Sequence, residues 1–159
     1  VYWGSDKTRI AGGEKSKDDR LDVIKYINKS ENISSIIIGR WPFKVKEKWI
    51  PMKDTLGYLD QSYTTLCFNW IDQTAVTGRY PEALACNIYP FVWKDYDTNN
   101  ILVSDDFQRC FTKEELYDKI KYIKNTNMLD KVKDDFIDKL PSEQEYYQDF
   151  EKVINKCLK

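Results

Sequence analysis

The chain has 159 residues, of which 42% are hydrophobic and 32% charged, and its formal net charge is −1. This length is typical of a single domain with a real hydrophobic core, and the composition excludes a disordered chain. The absence of histidine excludes a histidine general base, a Ser–His or Cys–His nucleophile pair and a histidine-containing metal site within these residues.

The first predicted element is a strand, Val1–Gly4. Because a native protein rarely begins inside a strand, we expect this chain to be a fragment with further sequence before it. A polar loop, Ser5–Lys15, follows the strand and contains the cations Lys7 and Arg9. The loop has neither a Walker phosphate-binding motif nor a G-x-G-x-x-G motif. Its charges therefore fit a solvated surface loop and an anion-binding loop equally well.

A helix and a buried strand come next. The helix is predicted over residues 16–28, because Leu21, Ile24 and Ile27 share one face. Arg20, near its start, could point back to the loop of residues 5–15 or into solvent, and we expect solvent. The strand is predicted over residues 34–42, because its three consecutive isoleucines indicate burial on both faces, as in a parallel sheet.

Two polar features follow that strand. Arg40 and Trp41 lie at its carboxyl end, where Trp41 is suited to covering the edge of the sheet. Residues 44–49 mix aromatic and basic side chains, a pattern found in proteins that stack on nucleic-acid bases, but six residues are too few to carry that function. A helix over residues 52–60 and a strand over residues 63–70 are predicted after it.

The stretch from Thr77 to Trp93 is predicted to form a loop, a short helix, a turn and a buried strand. Pro81 is favourable in a first helical turn, and Asn87 can adopt the left-handed conformation that ends a helix. Glu82 is the unusual residue, since it is a carboxylate in an otherwise apolar helix. It is either a helix-start glutamate stabilised by the helix dipole or a ligand-binding carboxylate at the sheet edge.

The last part of the chain is predicted to be mainly helical. A polar loop over residues 94–100 leads to a short strand over residues 101–104. Capping-box patterns then begin helices at Thr112 and Ser142, with another helix between them. The whole order predicts one α/β domain over residues 1–159, with a Rossmann-like parallel sheet, helices on both faces and a helical C-terminal segment.

The cysteine spacing and the hydropathy pattern indicate the cellular compartment in which we expect the protein. Cys67, Cys86, Cys110 and Cys157 show no C-x-x-C spacing, so we expect reduced thiols and a cytoplasmic protein. No apolar run approaches the ~20 residues of a membrane span. We expect no metal ion and no cofactor in this domain.

Residues 79–92 resemble a known segment. Glu82-Ala83-Leu84-Ala85-Cys86, followed by Tyr89-Pro90-Phe91-Val92, is similar to the E-A-L-A-C-G-x-P-V segment of GT-B type glycosyltransferases. In those enzymes the segment belongs to the C-terminal domain, which binds the nucleotide-sugar donor. The resemblance implies that this chain is such a domain, that an N-terminal acceptor domain precedes it, and that the donor is a UDP-sugar or another nucleoside-diphosphate sugar.

The resemblance also implies roles for individual residues. Glu82 matches the glutamate that accepts hydrogen bonds from the two ribose hydroxyls, and the backbone N–H groups from Gly78 to Tyr80 would cradle the diphosphate. Arg79 would add a positive charge there. The complete set of nucleotide- and sugar-binding residues implied in this way is Gly4, Lys7, Arg9, Arg40, Trp41, Thr77, Gly78, Arg79, Tyr80 and Glu82. The resemblance further implies a final helix that leaves Tyr146, Tyr147 and Phe150 exposed to the missing domain.

Two features leave the function open. Many retaining members of the family carry an acidic residue eight positions before this glutamate, whereas this chain has Thr74, so we name no catalytic base and no stereochemical outcome. Residues 1–53 hold twelve Lys or Arg against seven Asp or Glu, which also fits a non-catalytic nucleotide-binding or nucleic-acid-interaction module. A phage transferase that decorates DNA bases would combine this charge with sugar transfer.

Overall fold

The computed structural model of the chain describes residues 2–3, 19–38, 43, 51–69, 77–103, 105–123 and 127–149. Residues 143–149 are helical, and a single 3-10 turn covers Asp106–Gln108. The remaining strands and helices are β1 Tyr2–Trp3, α1 Arg20–Lys29, β2 Ile37–Ile38, α2 Met52–Leu59, β3 Thr64–Cys67, α3 Arg79–Ala85, β4 Tyr89–Trp93, β5 Arg109–Cys110, α4 Lys113–Ile123 and α5 Met128–Asp138.

All strand pairs within this part of the chain are parallel. Strands β3, β4 and β5 form one sheet in that order, and β1 pairs with β2. Helices α1, α2 and α3 lie between successive strands up to β4, because parallel strands need a crossover that returns the chain to the same end of the sheet. Between β4 and β5 the described residues contain the 3-10 turn instead. The predicted α/β class with a parallel sheet and a helical C-terminal segment is confirmed.

Strand β4 lies at the centre of the three-stranded sheet, and all five of its residues are buried. Pro90 stands inside it although proline cannot donate a ladder hydrogen bond. Strand β5 pairs only with Val92 and Trp93, so the part of β4 around Pro90 lies beyond that pairing. The carbonyl of Pro90 instead accepts a hydrogen bond of 2.9 Å from the side-chain amide of the buried Gln108.

The helices pack their apolar sides onto this core. Val23, Ile24 and Ile27 of α1 are buried in one hydrophobic cluster with Leu116 of α4 and Val132 of α5. Helices α1 and α4 also contact each other, where the rings of Tyr26 and Tyr117 meet edge to face at 6.3 Å and Lys113 forms an ion pair with Asp22 at 2.6 Å.

Local signals in the sequence predicted several helix ends correctly. Asn87 has a φ of 57°, the left-handed conformation expected after α3. Both capping boxes form: the Glu115 N–H donates to Thr112 Oγ1 at 3.1 Å, and the Ser142 N–H donates to a carboxylate oxygen of Glu145 at 2.8 Å.

Two strand predictions need correction. Residues 101–103 are not a strand, because their backbone N–H groups bind the Asp97 side chain rather than a neighbouring strand. The strand that follows β4 is instead Arg109–Cys110. The strand predicted over residues 34–42 contains Ile37–Ile38, whereas Ser34, Ser35 and Ile36 lie outside it and residues 39–42 lie outside the described ranges.

Candidate functional site

The short helix α3 begins at the carboxyl end of strand β3. Strand β3 ends at Cys67, whose thiol is fully buried. Burial raises the pKa of this thiol, the positive charge of Arg79 lowers it and the negative charge of Glu82 raises it. The first turn of α3 therefore holds both charges close to the end of β3, at the edge where ligands bind parallel sheets.

Arg79 and Glu82 form an ion pair on the protein surface. The Arg79 Nη1 and Glu82 Oε2 atoms are 3.3 Å apart, and the two side chains are 44% and 55% exposed. An exposed pair of this kind contributes only about 0–1 kcal/mol to stability. Glu82 is thus accessible, and a carboxylate has about four acceptor positions, so it retains capacity to accept hydrogen bonds from a ligand.

Thr77 and Gly78 directly precede α3, and the Tyr96 hydroxyl binds the backbone of Thr77. The Thr77 N–H donates to the Tyr96 hydroxyl oxygen at 2.8 Å, and that hydroxyl donates to the Thr77 carbonyl at 3.0 Å. Gly78 is exposed, and a Cβ atom built there would lie 3.6 Å from Glu82 Oε1. That is an ordinary contact, so the space around Gly78 does not by itself require glycine.

Tyr80 belongs to the core rather than to the accessible edge. It is 1% exposed, and its hydroxyl donates to Gln108 Oε1 at 3.2 Å. Burial raises the pKa of Tyr80 to about 12. Its backbone N–H, the group expected to face a diphosphate, donates to the Thr77 carbonyl at 3.1 Å, so this group and the hydroxyl are both engaged within the protein. We therefore leave Tyr80 out of the binding residues proposed below.

Five of the residues implied by the resemblance lie outside the described residues. They are Gly4, Lys7, Arg9, Arg40 and Trp41. The described part of the candidate site is consequently the segment from Thr77 to Glu82.

Sequence reasoning missed two cations at the same edge of the sheet. Arg20, expected in solvent, is buried; it donates to the Asn69 carbonyl at 2.5 Å and lies 5.1 Å from the centre of the Phe68 ring. Lys94 pairs with Asp19 at 2.5 Å, and this hydrogen bond raises the pKa of Lys94. Their positions in the sequence could have identified these two cations, because Lys94 directly follows β4 and Arg20 is the first residue of α1.

A cavity of about 580 Å³ lies elsewhere, at the amino ends of β2 and β3. Its lining includes residues 32–37, residues 61–66 and side chains of α1 and α4. None of the residues from Thr77 to Glu82 lines it. The accessible carboxylate and the cavity therefore occupy opposite ends of the strands, and we assign the candidate site by the carboxylate because ligands of parallel sheets bind at the carboxyl ends.

Comparisons with known proteins add no relative: no protein-family model, no curated protein and no solved structure matches the chain. The resemblance to GT-B glycosyltransferases thus rests on the residues between Arg79 and Val92. Within the described ranges, no helix is long and apolar enough to cross a membrane.

Proposed function

We propose that this chain is the donor-binding domain of a glycosyltransferase, and that Glu82 accepts hydrogen bonds from the ribose hydroxyls of a nucleoside-diphosphate sugar. The observation that carries the proposal is an accessible carboxylate in the first turn of α3, at the carboxyl end of β3. The sequence from Glu82 to Cys86 supports it, because it repeats the E-A-L-A-C segment of that family.

The chemistry of Arg79 and Glu82 favours a ligand that carries sugar hydroxyls over a simple anion. A carboxylate accepts two hydroxyl hydrogen bonds at once, and bonds to a charged acceptor are stronger than those between neutral groups. Arg79 keeps a positive charge 3.3 Å from Glu82, where it would meet a phosphate without displacing the carboxylate from the ribose. Gly78 supplies the adjoining backbone, whereas both backbone groups of Thr77 are already bound by the Tyr96 hydroxyl.

The proposal includes a second domain that binds the acceptor. Tyr146 and Tyr147, the residues expected to face it, are exposed, and their rings form an edge-to-face pair at 6.0 Å; Phe150 lies outside the described residues. The acceptor is proposed to be a separate molecule, with DNA as one class to test. The cytoplasm is the proposed compartment, since Cys67, Cys86 and Cys110 are free thiols.

The test is a calorimetric titration of UDP, continued to millimolar ligand, into the wild-type chain and two variants. Glu82→Gln keeps the shape but removes the charge, and it should weaken binding by roughly tenfold or more, since a charge-assisted hydrogen bond contributes about 1.5–3 kcal/mol. Glu114→Gln is the matched control, because Glu114 is also an exposed first-turn glutamate, in α4. It should bind UDP like the wild type.

Two outcomes would count against the proposal. One is no binding of UDP or another nucleoside diphosphate by the wild type at millimolar concentration. The other is an equal loss of affinity in both variants, which would indicate a general effect of charge rather than a contact with Glu82.

A further inference from the structure

The cavity at the amino ends of β2 and β3 has the size and the lining of a ligand pocket. Its volume is about 580 Å³, and it is open to solvent on one side. Pockets for small molecules typically measure about 300–1,000 Å³ and are mostly apolar with a few polar groups. Its lining includes five buried aliphatic side chains: Ile24, Ile27, Ile37, Leu66 and Leu116. These side chains form no hydrogen bonds, so they favour the aliphatic part of a ligand.

Several polar side chains of the lining are already hydrogen-bonded within the protein. The side-chain amide of Asn32 donates to the Tyr117 hydroxyl at 3.1 Å, and that of Gln61 donates to the Gly57 carbonyl at 2.6 Å. These amides therefore have less capacity left to bind a ligand.

Lys121 differs from these amides because its charge has no partner of opposite sign. It is the one charged side chain among the described residues that line the cavity. Its ammonium group lies 5.1 Å from the centre of the Tyr117 ring, and no carboxylate in the described part of the chain forms an ion pair with it. The Tyr117 hydroxyl accepts its hydrogen bond from Asn32, so its own proton can still be donated. A cation and a hydroxyl donor side by side suit an anionic head group.

We propose that this cavity binds a medium-chain carboxylate. The aliphatic chain lies against Leu66 and Leu116, and the carboxylate is bound by Lys121 and the Tyr117 hydroxyl. The buried aliphatic side chains select the tail, and charge complementarity with Lys121 selects the head group. No residue from Thr77 to Glu82 lines the cavity, so this site is separate from the donor site and does not depend on the proposed function.

The experiment is a calorimetric titration with four probes: octanoate, butanoate, octanol and octylammonium. Octanoate and butanoate differ only in chain length, whereas the three eight-carbon probes differ only in the head group. The titrations are repeated with Lys121→Gln and with the control Lys25→Gln, because Lys25 is an exposed lysine of α1 that is not part of the lining. Amide chemical shifts of Thr65, Ile120 and Gly78, recorded by nuclear magnetic resonance, locate the bound octanoate.

Affinity should rise about fourfold for each CH₂ group buried between butanoate and octanoate, since each contributes about 0.8 kcal/mol. Octanol and octylammonium should bind the wild type at least about fivefold more weakly than octanoate. Lys121→Gln should weaken octanoate binding by about fivefold, the upper limit for an exposed ion pair, and leave octanol binding unchanged. Lys25→Gln should bind octanoate like the wild type. The amides of Thr65 and Ile120 should shift, and that of Gly78 should not.

No binding of octanoate at millimolar concentration would overturn the proposal. Octanol or octylammonium binding as tightly as octanoate would also overturn it, because the head group would then not be recognised as an anion. Equal weakening in the two lysine variants would replace a contact with Lys121 by a general effect of charge. Octanoate that shifts Gly78 but not Thr65 would lie at the carboxyl ends of the strands, outside the cavity.

Discussion

Glu82, in the first turn of α3, and Asp97, in the loop after β4, are two carboxylates at the same end of the sheet with opposite surroundings. The Glu82 side chain is 55% exposed and its ion pair is with Arg79. Asp97 is 1% exposed and accepts three backbone hydrogen bonds, from Ile101 at 3.0 Å, Leu102 at 2.8 Å and Val103 at 2.7 Å. The Glu82 carboxylate is accessible to a ligand, whereas the Asp97 carboxylate is already bound by backbone N–H groups of its own loop.

Arg109 completes the structure around Asp97. Its guanidinium donates to the carbonyl oxygens of Lys94, Tyr96 and Asp97 and to the side chain of Asn100. Asp97 itself adopts a left-handed φ of 46°, which aspartate tolerates better than most residues. Asp97 thus binds three N–H groups of this loop and Arg109 binds three of its carbonyls, so these six backbone groups are engaged within the protein.

A carboxylate at the ligand edge of the sheet therefore indicates a binding site only when its free hydrogen-bonding capacity is known. The two regions are physically joined, because Tyr96 in the Asp97 loop binds both backbone groups of Thr77. The loop around Asp97 thereby supports the segment from Thr77 to Glu82, in which the charged side chains of Arg79 and Glu82 remain exposed.

The largest expected effect is unfolding at alkaline pH, which should disrupt the loop around Asp97 and the segment from Thr77 to Glu82 together. Burial raises the pKa of Tyr80 to about 12 and raises that of Tyr96 above the usual value of tyrosine. In the unfolded chain tyrosine ionises near 10, so the unfolded state releases protons first. The stability from these residues is complete below pH 10 and is lost as the pH rises through 12.

Tyrosinate absorbance and circular dichroism, recorded together from pH 8 to 13, check this prediction. The part of the absorbance change that comes from the buried tyrosines should coincide with the loss of circular dichroism in one cooperative step. Full ionisation of every tyrosine near pH 10 with native circular dichroism would contradict it.

Asp97→Asn should have the next largest effect. The substitution removes the charge from an acceptor of three backbone N–H groups and directs an amide N–H toward donors, so we expect the free energy of unfolding to fall by about 3 kcal/mol. Urea unfolding measures the change. Asp95→Asn, on an exposed residue of the same loop, is the control and should change stability by less than about 0.5 kcal/mol. Similar losses in both variants would contradict the special role of Asp97.

This contrast also explains how much could be predicted from the sequence. The parallel α/β class, the helix around Pro81, its left-handed end at Asn87 and the strand Tyr89–Trp93 all follow from local chemistry, and the structure confirms them. Local signals succeed there because propensity, capping and burial agree.

The Asp97 loop and the burial of Arg20 could not be predicted in this way. Ile101-Leu102-Val103 looks like a strand, but a side chain four to six residues earlier takes its backbone N–H groups. Arg20 is held by Asn69, which is 49 residues away in sequence. Arg20 depends on a partner far away in the sequence, and the Asp97 side chain takes N–H groups that an apolar pattern alone assigns to a strand. The accessibility of Glu82 was likewise undecided by the sequence, since a helix-start glutamate and a ligand-binding one have the same local pattern.

Tyr96→Phe should have an intermediate effect, because it cuts the connection between the two regions. The hydroxyl contacts the N–H and carbonyl of Thr77, and its loss should lower the free energy of unfolding by about 1–2 kcal/mol. Amide exchange at Thr77 should accelerate, whereas exchange at Val103 should not. Tyr146→Phe, on an exposed tyrosine, is the control. Unchanged exchange at Thr77 would show that the loop does not support the Glu82 segment.

Glu82→Gln should have the smallest effect on stability. Its ion pair with Arg79 is exposed, and pairs of this kind contribute about 0–1 kcal/mol. The first-turn position adds a dipole interaction of similar size at most. We expect the free energy of unfolding, measured in urea, to fall by about 0.5 kcal/mol or less. A loss well above 1 kcal/mol would make Glu82 a structural carboxylate, as Asp97 is, and any accompanying loss of UDP affinity would then reflect damage to α3. A small loss of stability together with a large loss of affinity is the combination that only a ligand-binding carboxylate produces.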